Sequence, residues 1–183
     1  ELEVTADAAH FATTQARVAD QIGNRSATLT LKELDLKDNA LSAQFEVVPL
    51  TGHKFPASFP SRRAWLHVTA ADAAGKVIFE SGKPNPDGTI TGTSADTDPA
   101  AFEPHYDVIT QPDQVQLYEP IMGDNEGHVT YTLLRGAKYL KDNRLLPAGA
   151  DKAKLPADIA VCGEAASDAN SGGGGGGITT RGA

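Results

Sequence analysis

Apolar and polar residues alternate in several short segments through the middle of the chain. Ser26–Leu34 and Leu41–Val48 follow this two-residue period, and Asp38-Asn39 between them predicts the turn of a β-hairpin. Arg135–Asn143 fits either a short helical turn or a continuing strand. Further segments with strand character are Ala64–Ala70, Lys76–Glu80, Tyr106–Thr110, Gln114–Glu119, His128–Leu134 and Asp158–Val161. Short strands separated by polar turns predict a mainly β fold, specifically an antiparallel β-sandwich.

The beginning of the chain follows a helical period instead. Residues 3–23 carry an apolar stripe, and Gly23 is placed to end the predicted helix. The stripe consists of Val4, Ala8, Phe11, Val18 and Ile22. Because it is thin, this short N-terminal helix needs another surface to pack on.

These patterns divide the chain into three parts. Residues 1–25 form an N-terminal helical appendage, residues 26–170 the β-sandwich domain, and residues 171–183 a Gly-rich tail. Within the tail, Gly172–Gly177 are either a flexible linker or positions whose side chains were not identified.

The composition is typical of a globular domain and excludes some functions. The 183 residues are 40% hydrophobic and 22% charged. The net charge of −8, without a cluster of Lys and Arg, argues against nucleic-acid binding. No apolar run reaches the length of a membrane-spanning helix.

Cysteine usage and the absence of catalytic motifs narrow the chemistry further. Cys162 is the only cysteine, which excludes an internal disulfide and a Cys₄ or Cys₂His₂ zinc site. One cysteine also cannot form the two thioether bonds of an ordinary c-type haem. The chain has no Gly-x-Ser-x-Gly elbow, phosphate-binding loop or His-Glu-x-x-His helix, so we predict that it is not an enzyme.

The segment Thr51–Val68 gathers histidines, aromatic residues, prolines and an arginine pair in front of a predicted strand. Pro56 and Pro60 each fix their own φ angle and restrict the residue before them, so the loop is stiff. A stiff loop of this kind can present the imidazole of His53 to a metal, a haem or a partner protein. The alternative is a loop whose aromatic side chains fill one end of the core and whose His53 is hydrogen-bonded.

The same segment reads T-G-H-K-x-P-x-x-x-P-x-R-R-x-W-x-x-V, and in this wording it resembles the C-terminal β-rich domain of bacterial multihaem c-type cytochromes. The resemblance covers roughly residues 26–162. Its other blocks, in the same order, are Phe79–Gly82, Pro86–Gly88, Phe102–Ile109, Gln114–Glu119 and Lys141–Pro147. It implies a non-catalytic module of an electron-transfer assembly in the cell envelope, periplasmic or extracellular, which packs against haem-bearing polypeptide.

The resemblance does not supply a haem site in this chain. Family members carry Cys-x-x-Cys-His motifs in a separate region, and this chain has none. The resemblance therefore implies haem c held by a neighbouring domain or subunit, with His53 as a candidate axial ligand. Arg62 and Arg63 are candidates for the propionates, since a guanidinium group binds a carboxylate through two parallel hydrogen bonds. The alternative for both arginines is pairing with Asp and Glu side chains of this chain.

His105 is a further candidate for cofactor binding. It lies between Glu103 and Asp107, and either carboxylate could fix the tautomer of its ring. The alternative is a polar turn that leads into a strand.

An acidic loop at residues 85–98 offers oxygen ligands. Asp87, Asp96 and Asp98 are candidates for binding Ca²⁺, which prefers hard oxygen ligands, although the spacing is not that of an EF-hand. The alternative is a solvated loop. A calcium site would favour a second function, an extracellular ligand-binding or adhesion β-sandwich without haem.

Overall fold

The computed structural model describes residues 5–57 and 59–171, and the predicted Gly-rich run lies outside them. The described part is mainly β with one α-helix, as the alternating pattern predicts. The helix is α1 (Ala8–Asn24). The strands are β1 (Ala27–Lys37), β2 (Ala40–Pro49), β3 (Ala64–Trp65), β4 (Val68–Ala71), β5 (Val77–Ser81), β6 (Leu117–Tyr118), β7 (Pro120–Gly123), β8 (Val129–Thr130) and β9 (Lys138–Asp142). Short 3₁₀ helices occupy Leu133–Arg135, Lys152–Lys154 and Glu164–Ala166.

All strand pairs among the described residues are antiparallel and form small sheets. They are β1–β2, β3–β6, β4–β5 and the three-stranded sheet β8–β7–β9. The segment 135–143, whose pattern fits either a helical turn or a strand, forms strand β9 over Lys138–Asp142.

The first hairpin follows the sequence pattern closely. Asp38 and Asn39 have φ angles of 51° and 65°, which is the left-handed conformation that a two-residue hairpin turn requires. Lys32 is an extra residue in β1, because Leu31 pairs with Phe45 while Glu33 pairs with Gln44. This bulge keeps the apolar side chains of β1 on one face although their spacing changes from two to three residues. These side chains are Leu29, Leu31, Leu34 and Leu36, and all of them are exposed.

Helix α1 begins later than predicted, and its start is capped. Asp7 Oδ1 accepts a hydrogen bond from the His10 backbone N–H at 3.0 Å, and His10 Nδ1 accepts from the Asp7 N–H at 3.3 Å. Residues 3 and 4 of the predicted helix lie outside the described part. At the other end, Ser26 Oγ donates to the carbonyl of Gln21 at 2.8 Å and ties the helix to the start of β1. No residue of α1 is buried, so the expected packing surface is not provided by the described residues.

Two predicted strands are wrong because other hydrogen bonds take their backbone groups. In the segment 106–110, the N–H of Tyr106 donates to Gln116 Oε1 and the N–H of Thr110 donates to Gln114 Oε1, at 2.7 and 2.6 Å. Side-chain acceptors thus take the N–H groups at both ends of this segment, and within it only Val108 forms a β-bridge. The segment 158–161 is a turn in which Ile159 N–H donates to the Pro156 carbonyl at 3.0 Å.

The segment 115–121 is the buried centre of the domain. Its two faces contribute to two apolar clusters. The first contains Val47, Leu66, Tyr118 and Leu145, with Phe55 packed against it. The second contains Ile90, Val115 and Leu117, with Trp65 packed against it. The segment that follows His53 is therefore fixed to the core through Phe55 and Trp65.

Candidate functional site

His53 is exposed, and the protein fixes the tautomer of its ring. Its Nδ1 lies 3.0 Å from the backbone carbonyl oxygen of Lys54. Because a carbonyl oxygen only accepts, Nδ1 carries a proton, and in the neutral ring Nε2 keeps its lone pair. Nε2 has no hydrogen-bond partner among the described residues. An imidazole held in this way is prepared to bind a metal ion through Nε2.

The loop that carries His53 is fastened to residues far along the chain. Lys54 Nζ donates to Asp142 Oδ2 at 2.6 Å and to the Ala160 carbonyl at 3.2 Å. Phe55 and Leu145 exchange two backbone hydrogen bonds, at 2.9 and 2.8 Å. The sequence blocks that contain His53 and residues 141–147 therefore meet in space, and the second block holds the first.

Asp142 is the centre of this attachment. It is fully buried, and it also binds Arg144, whose Nε and Nη2 donate to the carboxylate at 2.8 Å each. The hydrogen bonds that Arg144 donates to Asp142 raise the pKa of Arg144 above its usual value, although partial burial of the guanidinium opposes this. Two cations thus neutralise one buried carboxylate, which a buried charge requires.

His53 lies at the rim of a groove of about 1010 Å³, which we call the α1 groove. One wall is a single face of α1, with the helical spacing i, i+3, i+4, i+7, i+8: Thr14, Arg17, Val18, Gln21 and Ile22. The other wall belongs to residues 51–67 and includes Arg62, Trp65 and His67. None of the residues that line the groove is acidic, although the chain carries 24 Asp and Glu residues. Arg17 was not predicted as a site residue; its spacing from Val18 and Ile22 on the helical stripe was the available signal.

The two arginines of the predicted pair have different environments. Arg63 binds Asp96 through both terminal nitrogens, at 2.7 and 3.1 Å. Arg62 is exposed, and its side chain has no partner within residues 5–57 and 59–171. Arg63 thus pairs with an acidic residue of the same chain, and Arg62 does not within the described residues.

Asp96 is held by more than Arg63. Its Oδ2 also accepts from the Ile90 N–H at 2.6 Å and from Thr93 Oγ1 at 2.8 Å. Burial alone would raise the pKa of Asp96, but the hydrogen bond from Arg63 and those from Ile90 and Thr93 outweigh it and lower the pKa. Asp96 is therefore an ionised carboxylate engaged in holding its own loop.

The other two predicted calcium ligands also accept hydrogen bonds inside their loops. Asp87 Oδ1 accepts from Thr89 Oγ1 at 2.7 Å, and this bond is the main reason why the pKa of Asp87 is lowered. Asp98 Oδ1 accepts from the Ala100 N–H at 2.9 Å. Within the described ranges, no group of three or more His, Cys, Asp and Glu residues could hold a metal ion. Calcium binding stays a prediction, which a calcium-dependent shift of the melting temperature would test.

His105 lies in a buried polar network and has partners on both ring nitrogens. Gln116 Nε2 and Asn143 Nδ2 lie 3.0 and 3.1 Å from its Nδ1. The orientations of these amides are set by backbone N–H groups, because Gln116 Oε1 and Asn143 Oδ1 each accept one. Nδ1 therefore accepts, and Nε2 donates to Asp168 at 2.9 Å. Neither nitrogen is free for a cofactor in this arrangement, and neither Glu103 nor Asp107 fixes the tautomer.

A buried ion pair adjoins this network. Lys141 Nζ lies 3.0 Å from Glu119 Oε1 and 3.1 Å from the Leu117 carbonyl oxygen. Burial lowers the pKa of Lys141, and the negative charge of Glu119 opposes that shift. Asn143 Nδ2 donates to the same carbonyl of Leu117 at 2.6 Å. The block 141–147 thus fastens the His53 loop on one side and the His105 network on the other.

The remaining histidines are occupied or lie elsewhere. His67, at the edge of the α1 groove, has its Nε2 3.0 Å from Glu80 Oε1, and this hydrogen bond lowers the pKa of Glu80. His10 caps α1. His128 is exposed beside Asp124 and does not line the groove. His53 is therefore the groove histidine with an available Nε2 in the described part of the chain.

No protein-family model, no curated protein and no solved structure matches this chain. The described residues contain no helix with the length and apolar character needed to cross a bilayer.

Proposed function

We propose that this chain is a non-catalytic module of a cell-envelope electron-transfer assembly and packs against haem-bearing polypeptide. His53 is the residue that coordinates the iron of a haem c held by that polypeptide. The haem supplies the electron-transfer chemistry; this chain supplies an oriented imidazole and a surface that excludes water. The finer architecture that we propose is an antiparallel β-sandwich, since Val47 of β2 packs against Tyr118 of β6, a strand of another sheet.

The observation that carries this proposal is the state of His53. Its Nδ1–H is bound to the Lys54 carbonyl, so the basic nitrogen is Nε2 at the rim of the groove. The Lys54–Asp142 ion pair and the Phe55–Leu145 backbone bonds limit movement of the ring. A pre-oriented ligand loses little conformational entropy when it binds a metal. A loop that only filled the end of a core would not need an exposed imidazole with a fixed tautomer.

The surroundings of His53 also fit a haem group. The groove combines apolar side chains such as Val18, Ile22 and Trp65 with arginines, and it lacks carboxylates that would repel propionates. The resemblance of the blocks at 51–68 and 141–147 to multihaem cytochromes points to the same partner, and these blocks are in contact. His105, with both nitrogens engaged, has no part in this proposal.

The test is a titration of the purified full chain with a c-type haem peptide that has one open axial position. We expect a saturable change of the Soret band from high-spin to low-spin with the wild-type chain. His53→Ala should abolish the change, whereas His128→Ala, the loss of an exposed histidine outside the groove, should preserve it. An identical low-spin change with His53→Ala would overturn the assignment of His53.

A further inference from the structure

The α1 groove differs in charge from the rest of the molecule. The chain has a net charge of −8, yet the groove is lined by Arg17, Arg62, Arg63 and two histidines and by no Asp or Glu. Acidic residues outnumber basic ones, 24 to 16, so a groove of this composition in an otherwise acidic protein favours an anionic occupant.

We propose that the α1 groove is a docking site for the propionate carboxylates of the haem carried by the partner polypeptide, and that Arg17 and Arg62 are the residues that bind them. This inference rests on the proposed function and adds to it the residues that recognise the anionic edge of the haem. It also assigns a role to α1, which has no buried residue. The helix forms the second wall of the groove and contributes one of the two arginines assigned to the propionates.

Arg17 and Arg62 are selected because their guanidinium groups are available. Neither side chain has a hydrogen-bond or ion-pair partner in the part of the chain that the structure describes. Arg63, in contrast, uses both terminal nitrogens to bind Asp96, and Asp96 holds the loop of Ile90 and Thr93. Arg63 therefore supports the groove wall. Arg17 takes over the role of propionate ligand that the sequence analysis gave to Arg63.

The size and polarity of the groove favour a haem edge over a small anion. A volume of about 1010 Å³ is far more than one phosphate or carboxylate fills. Val18 and Ile22 on α1 and Trp65 on the opposite wall offer apolar surface next to the two arginines. A haem has this combination of properties, since its ring is flat and apolar and its two carboxylates lie at one edge. An acidic peptide would share the charge but not the flat apolar surface.

The binding can be measured without relying on iron ligation. Trp65 is the only tryptophan of the chain and lines the groove, so haem peptide bound there should quench its fluorescence whether or not His53 ligates. At low ionic strength, Arg17→Gln and Arg62→Gln should each raise the Kd of the haem peptide by about 3- to 10-fold. Arg135→Gln removes the same charge from an exposed 3₁₀ helix outside the groove and should leave the Kd unchanged.

Esterification of the propionates provides the matched change on the ligand. The dimethyl ester of the haem peptide should bind the wild-type chain about as weakly as the parent peptide binds the Arg17→Gln/Arg62→Gln double variant. Applying both changes should weaken binding little further, because they remove the same contacts.

The outcomes separate this inference from the proposed function. A low-spin change that depends on His53, together with equal Kd values for wild type and the double variant, would overturn the propionate site and leave the function in place. Absence of both quenching and the low-spin change would overturn both. An equimolar acidic peptide could instead displace the haem peptide, while esterification of the propionates leaves the Kd unchanged. That result would show that an acidic polypeptide is the occupant and would also contradict the inference.

Discussion

Lys54 and Asp142, 88 positions apart in the chain, form an ion pair of 2.6 Å directly beside His53. The side chain of Asp142 is fully buried, and that of Lys54 is largely buried. The residue next to the candidate iron ligand is thus fixed to the domain, and the orientation of His53 depends on a contact that no local sequence pattern describes.

This ion pair predicts a graded loss of stability. Lys54→Met leaves Asp142 buried but still bound to Arg144, so we expect the free energy of unfolding to fall by about 1–3 kcal/mol. Asp142→Ala leaves two cations without their anion and should cost about 3–5 kcal/mol. Urea unfolding followed by far-ultraviolet circular dichroism measures both values. Glu126→Gln, at an exposed turn, is the control and should change stability by less than about 0.5 kcal/mol. Equal costs for Lys54→Met and Asp142→Ala would contradict the arrangement.

The Arg63–Asp96 pair predicts a dependence of stability on pH. The folded protein holds the pKa of Asp96 below its usual value, so the unfolded chain binds more protons between the two pKa values. The stabilisation from Asp96 is therefore complete above about pH 5 and is lost as the pH falls through the lowered pKa. We expect Arg63→Gln to cost about 1–2 kcal/mol at pH 7 and progressively less towards pH 2–3.

Urea midpoints of both proteins across this pH range test the prediction. Arg62→Gln is the matched control, because the neighbouring guanidinium has no partner among the described residues and should not contribute to stability. If the difference in urea midpoint between wild type and Arg63→Gln were constant with pH, the stabilisation by Arg63 would not depend on ionised Asp96.

The His105 network predicts a separation of stability from haem binding. His105→Ala leaves the amides of Gln116 and Asn143 and the carboxylate of Asp168 without their shared partner in a buried site. We expect a loss of about 2–4 kcal/mol in the free energy of unfolding. The low-spin change with haem peptide should persist at a temperature where the variant is folded. Should His105→Ala instead abolish that change at unchanged stability, His105 would be a ligand and its hydrogen bonds to Asp168 and the amides would be wrong.

Local signals explain which elements the sequence predicted. The turn at Asp38-Asn39 was predictable, since both residue types tolerate positive φ and alternating strands flank them. Pairing of β3 with β6 was not, because a ladder of two residues leaves no periodic pattern. The predicted strand at 106–110 failed because Gln114 and Gln116, which are side-chain acceptors several residues away, take its N–H groups.

The candidate site was predictable only in part for the same reason. His53 could be selected from its stiff loop, but the partner that fixes its position, Asp142, comes from a distant segment. The polar run Lys141–Arg144 in front of two leucines was the available signal, since charged residues next to a core segment need buried partners. The partners of His105 lie 11, 38 and 63 positions away, beyond the reach of any motif.

Gly82 connects the core to the groove and gives a last prediction. Its carbonyl accepts the hydrogen bond of Trp65 Nε1 at 2.8 Å, its φ is +74°, and an added Cβ would overlap the carbonyl oxygen of Leu66. Gly82→Ala should therefore cost about 2–4 kcal/mol, through the left-handed backbone and the displacement of neighbouring backbone. Gly88 also has a positive φ, +88°, but the space around its Cβ position is open. Gly88→Ala therefore measures the cost of the left-handed backbone alone, which should be only about 1 kcal/mol.

Trp65 fluorescence reports the second consequence of this change. Displacement of Leu66 or of the Gly82 carbonyl moves the indole, so the emission maximum of folded Gly82→Ala should shift to the red and that of Gly88→Ala should not. Because Trp65 forms part of the groove wall, Gly82→Ala should also weaken the binding of haem peptide, measured by the low-spin change. Equal stability of the two variants would mean that the backbone at Gly82 has the room to accept a side chain, and that the Gly82 carbonyl does not hold Trp65.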